Sequence, residues 1–162
     1  MTATYECPPL ENNLNMDELV IPKDISRVVL YHGTSSKFRD EILTKGLRSR
    51  NQTGNSVYDG HIASDETLVY LARKEVAEGA ASLALDKYGE DRTVVAVEVD
   101  ISHLVEDEDV RKIFGATGWR ESLRLNGTCA HNGPVNSIKQ LFVYNGDSFT
   151  DIKEVVTPNP LN

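Results

Sequence analysis

The chain has 162 residues, 40% of them hydrophobic and 26% charged, which is enough for one ordinary domain with a real core and too apolar for global disorder. Lys and Arg number 17 against 25 Asp and Glu, a net charge of −8, whereas broad phosphate-driven binding of nucleic acid needs a positive field. No apolar run approaches the ~20 residues that cross a bilayer, and the first residues lack the basic start and apolar stretch of a secretory signal. The expectation is a cytoplasmic protein with no membrane partner, in which Cys7 and Cys129 are free thiols.

Residues 1–25 hold Pro8, Pro9 and Pro22 with Asn12, Asn13 and Asn15 and show little periodicity. They read as a poorly ordered or surface-wrapped arm ahead of a single domain at 26–162. Val28, Val29, Leu30 and Tyr31 form a β-branched and aromatic run, predicted as a strand that stops at His32-Gly33-Thr34. Phe38, Ile42 and Leu43 share one face of a helix predicted over 37–45 and closed by Gly46. The polar stretch 48–60 reads as a long surface loop of a kind that is usually functional.

A second strand is predicted at 68–71, followed by an Ala-rich helix over 75–88 that ends at Gly89. TVVAVEV at 93–99 is the clearest strand in the chain. The acidic run Glu106-Asp107-Glu108-Asp109 reads as a solvated face before a short helix at 110–114. A further helix is predicted at 119–125, then strands at 127–130, 138–144 and 152–156, with Asn145-Gly146-Asp147 as a turn. Strands and helices alternate early and strands dominate later, which predicts an α+β fold with a split or mixed sheet. Neither GxGxxG nor GxxxxGK[ST] is present, so the usual phosphate-binding loops are missing.

The chemistry concentrates at Leu30-Tyr31-His32-Gly33-Thr34-Ser35. A strand ending in this way sets an imidazole, a backbone without a side chain and a hydroxyl side by side, and Gly33 would let a ligand reach main-chain N–H and C=O. Such a corner suits a flat, amide-bearing ring whose attached sugar meets His32. His61, His103, His131 and Cys129 have no zinc-like spacing and read as free surface histidines and a thiol, so no metal is expected.

LYHGTSSKFRDEILTKGL, with Ile42, Gly46 and Leu47 in place, is followed after a suitable interval by VYLARKEVAEGAASLA and then VVAVEVD. In this order the segments resemble the ADP-ribosyltransferase superfamily, in its branch with a His–Tyr–Glu signature, over roughly residues 28–100. The resemblance implies an ADP-ribosyltransferase-like split sheet with flanking helices and NAD as substrate. It implies that His32 holds the adenosine-side ribose, that the Gly33 backbone pairs with the nicotinamide carboxamide, and that Thr34 supports His32. Tyr70 would stack on the nicotinamide ring, with Tyr31 and Leu71 beside these residues in the cofactor site.

The third motif departs from the pattern. The family carries a catalytic Glu on a later strand, whereas in GWRESLRLNGTCAHNGPVNSI the only carboxylate is Glu121, within a predicted helix. Glu121 is taken as the catalytic acid, with Asn126, His131 and Gln140 as polar alternatives. The function implied is NAD-dependent transfer of a single ADP-ribose unit to an unknown macromolecule, more in keeping with a protein than a nucleic acid, as in a toxin, effector or phage factor. The alternatives are a catalytically silent module that binds NAD, ADP-ribose or a protein partner, and an RNA 2′-phosphotransferase. The latter resemblance rests on Gly46-Leu47, Arg50, His61-Ile62-Ala63-Ser64, Val97-Glu98-Val99-Asp100 and Asn126-Gly127.

Overall fold

The structure is a computed structural model that describes residues 3–7, 19–49, 67–144 and 149–151. Its centre is the β-branched run Arg92–Asp100 (β4), antiparallel to Arg27–Ser35 (β2) along the whole length, from Arg27↔Asp100 to Ser35↔Arg92. The remaining strands are Thr4–Glu6 (β1), Leu68–Ala72 (β3), Leu104–Val105 (β5), Thr128–Asn132 (β6), Ile138–Tyr144 (β7) and Phe149–Asp151 (β8). They form one eight-stranded sheet in the order β5-β6-β3-β2-β4-β7-β8, with β1 added in parallel beside the start of β2. All other pairs are antiparallel, and helices fill the connections, so the fold is α+β.

Alternation along the strands divides the core. Val28 and Leu30 join Val95, Val97 and Val99 in the larger cluster, which receives Ile42 and Leu47 from the α1 region (helix Arg39–Lys45) and Trp119 and Leu123 from the later helix Gly118–Asn126 (α4). Tyr31 packs instead with Ala72, Ala77, Ala81 and Val94, where helix Lys74–Tyr88 (α2) lies on the sheet. Ala77, Ala81 and Ala84 are its buried residues. Small side chains let the helix axis come close to the strands, and the closest approach falls on Gly33. A Cβ there would sit 1.8 Å from the carbonyl oxygen of Ala77 and 2.7 Å from the Ala81 nitrogen. Between β5 and α4 runs the short helix Glu108–Phe114 (α3).

The sheet parts in its middle. β2 and β3 share a single register pair, Tyr31↔Ala72. Beyond it β2 stays on β4 while β3 stays on β6, through Tyr70↔Ala130 to Leu68↔Asn132. A gap therefore opens between the second half of β2 and the first half of β3.

One expectation changes. His32-Gly33-Thr34 does not end the first strand, because full-length pairing to β4 carries β2 through to Ser35. The described parts of the N-terminal arm lie against the domain: β1 pairs with β2, and Cys7, Leu19 and Ile25 are buried in the main core. Gly46 and Gly89 close their helices as expected, each N–H returning to a carbonyl four residues back. Most of the loop over 48–60, the segment His61–Ser64, the turn at 145–147 and the strand at 152–156 lie outside the described residues. Among the described residues no helix is long and apolar enough to cross a membrane.

Candidate functional site

The gap between β2 and β3 is a cavity of about 430 Å³. His32 and Thr34 line it from β2, Tyr70 and Leu71 from β3, and Glu41, Leu47 and Arg48 from α1 and the segment after it. Asp107, Asp109, Asn126 and Thr128 complete the wall. His32 and Tyr70, 38 positions apart in the chain, thus meet at one cavity.

His32 Nδ1 lies 2.9 Å from the Tyr70 carbonyl oxygen. A carbonyl only accepts, so Nδ1 carries the hydrogen, and in the neutral ring Nε2 is left as an acceptor. Burial pushes the His32 pKa below its ordinary value, opposed by the bond to Tyr70. The ring is therefore held as a neutral acceptor, suited to a hydroxyl that donates.

The Tyr70 hydroxyl donates to the Glu108 carboxylate at the start of α3. That bond ties the ring to the acidic run, which is no solvated face. Asp107 is buried, and its two oxygens accept from the Asp109 N–H at 3.0 Å and from Thr128 Oγ1 at 2.9 Å. The first bond makes Asp107 the N-cap of α3. Thr128 in turn accepts from Asn126 Nδ2 at 3.0 Å. The backbone of Asp107 is anchored as well, donating to Ser122 Oγ at 3.0 Å. Burial raises the Asp107 pKa, opposed by the two bonds it accepts. Asp109 is on the same wall, with one carboxylate oxygen out of contact with solvent and without a hydrogen-bond partner among the described residues.

The remaining expected residues divide. Gly33 lines the cavity, but its missing side chain is explained by the backbone of α2 rather than by room for a ligand. Thr34 is buried on the wall, and among the described residues no hydrogen bond joins it to His32, whose partner is Tyr70. Tyr31 borders the cavity while packing against the alanines of α2, and Leu71 belongs to the main core.

Glu121 is away from the cavity wall. It sits in the first turn of α4 and accepts from Thr117 Oγ1 at 3.3 Å. Of the polar alternatives, Asn126 reaches the wall and His131 and Gln140 do not. His131 is buried, not a free surface residue: its Nδ1 lies 2.9 Å from the Gly133 carbonyl, and its ring stacks on His103 with centroids 5.4 Å apart. Cys129 is fully buried and its thiol pKa is driven strongly upward by burial, while that of Cys7 is pushed up to about 11, so neither is a ready nucleophile.

The sequence reading missed Asp107 and Asp109. The available signal was the position of four acids directly before a short helix, where one of them caps it and is drawn inward. A scan against protein-family models finds no match to this chain, and a search of curated proteins finds none either.

Proposed function

We propose that this chain is an NAD-dependent mono-ADP-ribosyltransferase acting on a macromolecular acceptor. The observation that carries this reading is the cavity at the parting of β2 and β3, where His32 and Tyr70 face a common space bordered by carboxylates. A neutral His32 with a free Nε2 acceptor suits a ribose hydroxyl. The Tyr70 face suits a pyridinium ring by stacking and cation–π attraction. The edge-to-face pair Phe38–Tyr88, with centroids 4.9 Å apart, adds apolar aromatic surface on the same wall for the adenine.

In the reaction proposed, the bond from the ribose C1′ to the pyridinium nitrogen breaks and its electron pair leaves with neutral nicotinamide. An oxygen, nitrogen or sulfur of the acceptor then bonds to C1′ and loses its proton to solvent. Positive charge accumulates on C1′ and the ring oxygen, so a fixed carboxylate nearby lowers the barrier. No acid stands on β6, whose sequence is TCAHN, and Glu121 is remote. Asp109 is assigned this role, with Asp107 and the Thr128–Asn126 chain holding it in position.

One observation favours a second reading. The acid expected on the strand after the Tyr70 region is absent from β6, which suits a silent module that binds NAD or ADP-ribose without turning it over. The RNA 2′-phosphotransferase reading draws less support. Among the described residues, Glu41, Asp107 and Asp109 share the wall with a single guanidinium, Arg48, an unfavourable balance for a polyanion.

The test is incubation of the purified chain with NAD and a cell lysate, reading released nicotinamide and the mass of modified proteins. Nicotinamide release with addition of one ADP-ribosyl unit supports transfer. Tight NAD binding without either product supports the silent module. Loss of a phosphate from 2′-phosphorylated RNA, only when NAD is present, would establish the third reading.

A further inference from the structure

Arg48 carries the one guanidinium or ammonium group on the cavity wall among the described residues. It follows α1, held in place by the preceding Leu47, which bridges to Val135 and is buried in the core. Its guanidinium is paired with the Glu41 carboxylate, and Glu41 lies on the same wall. The pairing is incomplete. One Arg48 Nη meets Glu41, while Nε is out of contact with solvent and has no hydrogen-bond partner among the described residues. A buried donor without an acceptor is unfavourable, and a guanidinium fork matches two oxygens of a carboxylate or phosphate at once.

Glu41 therefore uses part of the fork and leaves the Nε donor unmatched on a residue of the cavity wall. Glu41 is the more exposed partner of the pair, so an incoming dianion can displace its carboxylate toward water while Arg48 stays in place. Glu41 retains about two-fifths of its side-chain surface, which gives the displaced carboxylate access to water.

We propose that Arg48 binds the diphosphate of the ligand and that Glu41 is a built-in competitor, occupying the guanidinium until the phosphates replace it. The assignment of a diphosphate to this cavity rests on the transferase reading above. The Arg48–Glu41 exchange itself requires only a phosphate-bearing ligand. Glu41 then sets the affinity: the ligand gains the contacts of the full fork less those of the carboxylate it removes.

The experiment is calorimetric titration of the wild-type chain, Arg48→Gln, Arg48→Lys and Glu41→Gln with ADP-ribose, nicotinamide riboside and inorganic pyrophosphate. Arg48→Gln is expected to weaken ADP-ribose and pyrophosphate by roughly tenfold or more and leave nicotinamide riboside unchanged. Arg48→Lys keeps the charge without the fork and restores part of that loss. Glu41→Gln is expected to tighten both phosphate ligands several-fold, a gain that a merely structural ion pair would not produce. Equal ADP-ribose affinity in wild type and Arg48→Gln, or weakening by Glu41→Gln, overturns the proposal while leaving the transferase reading intact. If wild type ignores ADP-ribose yet binds pyrophosphate in an Arg48-dependent way, the transferase reading fails and the exchange stands. No binding of either phosphate ligand to a folded wild-type chain overturns both. Circular dichroism of each variant shows whether it is folded.

Discussion

The imidazole Nδ1 of His32 donates to the carbonyl oxygen of Tyr70 at 2.9 Å, across the line where β2 and β3 separate. Past Tyr31↔Ala72 the strands make no further register pairs, so this side chain replaces a ladder bond at the opening of the cavity. It fixes the tautomer of His32 and the depth of the gap together. His32→Ala is therefore expected to cost about 1–2 kcal/mol of stability through one lost buried hydrogen bond. It should also abolish NAD turnover in a fold that still melts cooperatively. Thermal unfolding with nicotinamide release measures both, and turnover by a folded His32→Ala at the wild-type rate would remove His32 from the site.

The two acidic positions separate cleanly. Glu121→Ala removes the hydrogen bond from Thr117, away from the cavity, and should leave turnover unchanged. Asp109→Asn keeps the backbone N–H that Asp107 caps but removes the charge from the wall. If Asp109 stabilises the oxocarbenium-like centre, turnover should fall about 100-fold or more, with ADP-ribose affinity nearly constant. Single-turnover kinetics beside equilibrium binding distinguish this from a loss of affinity. A drop with Glu121→Ala and none with Asp109→Asn would restore the acid read from sequence.

Much of this architecture was legible in the residues. The run TVVAVEV, the alanine-rich segment before Gly89 and the Gly46 stop all became the elements their composition predicts. What could not be read was set by long-range pairing. β2 runs on to Ser35 because β4 matches it residue for residue, a partnership no local window contains. Gly33 was read as a ligand approach, when α2, some 44 positions later at Ala77, presses its backbone against that point. Asp107 looked like solvated charge because Thr128, which donates to its carboxylate, and Ser122, which accepts from its N–H, come from elements distant in sequence. Periodicity finds faces of elements and is silent about which carboxylate of an acidic run turns inward.

Gly33 gives a direct test of that packing. Alanine there would put its Cβ 1.8 Å from the Ala77 oxygen, so either α2 or β2 must move. Overpacking of this sort costs about 1–3 kcal/mol and can exceed that where the obstacle is backbone. Gly33→Ala is expected at or beyond the top of that range in urea unfolding, with a lowered midpoint and an unchanged slope. The displaced β2 also carries His32, so NAD binding should weaken even though no ligand contact was removed. Stability equal to wild type would mean that the helix does not lie this close to the strand.

Acid should weaken both the fold and the site, and the sign follows from the imidazoles. Burial lowers the pKa of His32 and of His131 from their ordinary 6.5, the latter also through the neighbouring His103. Groups whose folded pKa is depressed take up more protons when unfolded, so their stabilisation is complete above 6.5 and is lost as the pH falls through the lowered folded values. Asp107 runs the other way. Its pKa is raised from 3.8, so it favours the folded state only at low pH and that contribution disappears as the pH rises through its folded value. The two effects are separable by substitution. Urea midpoints recorded between pH 7 and pH 5 should decline in the wild type, less steeply in His131→Gln, and at least as steeply in Asp107→Asn, which lacks the opposing carboxyl group. Asn also caps helices well, but its amide nitrogen cannot accept from Thr128, so Asp107→Asn should lose part of the stability at pH 7 and Asp107→Ala more, about 1 kcal/mol with the cap alone. NAD affinity should hold while the ring stays neutral and fall as the pH drops through the lowered folded value of His32, because protonation turns Nε2 from an acceptor into a donor. Affinity that rises as acid protonates the ring would show that Nε2 does not receive a ligand hydroxyl.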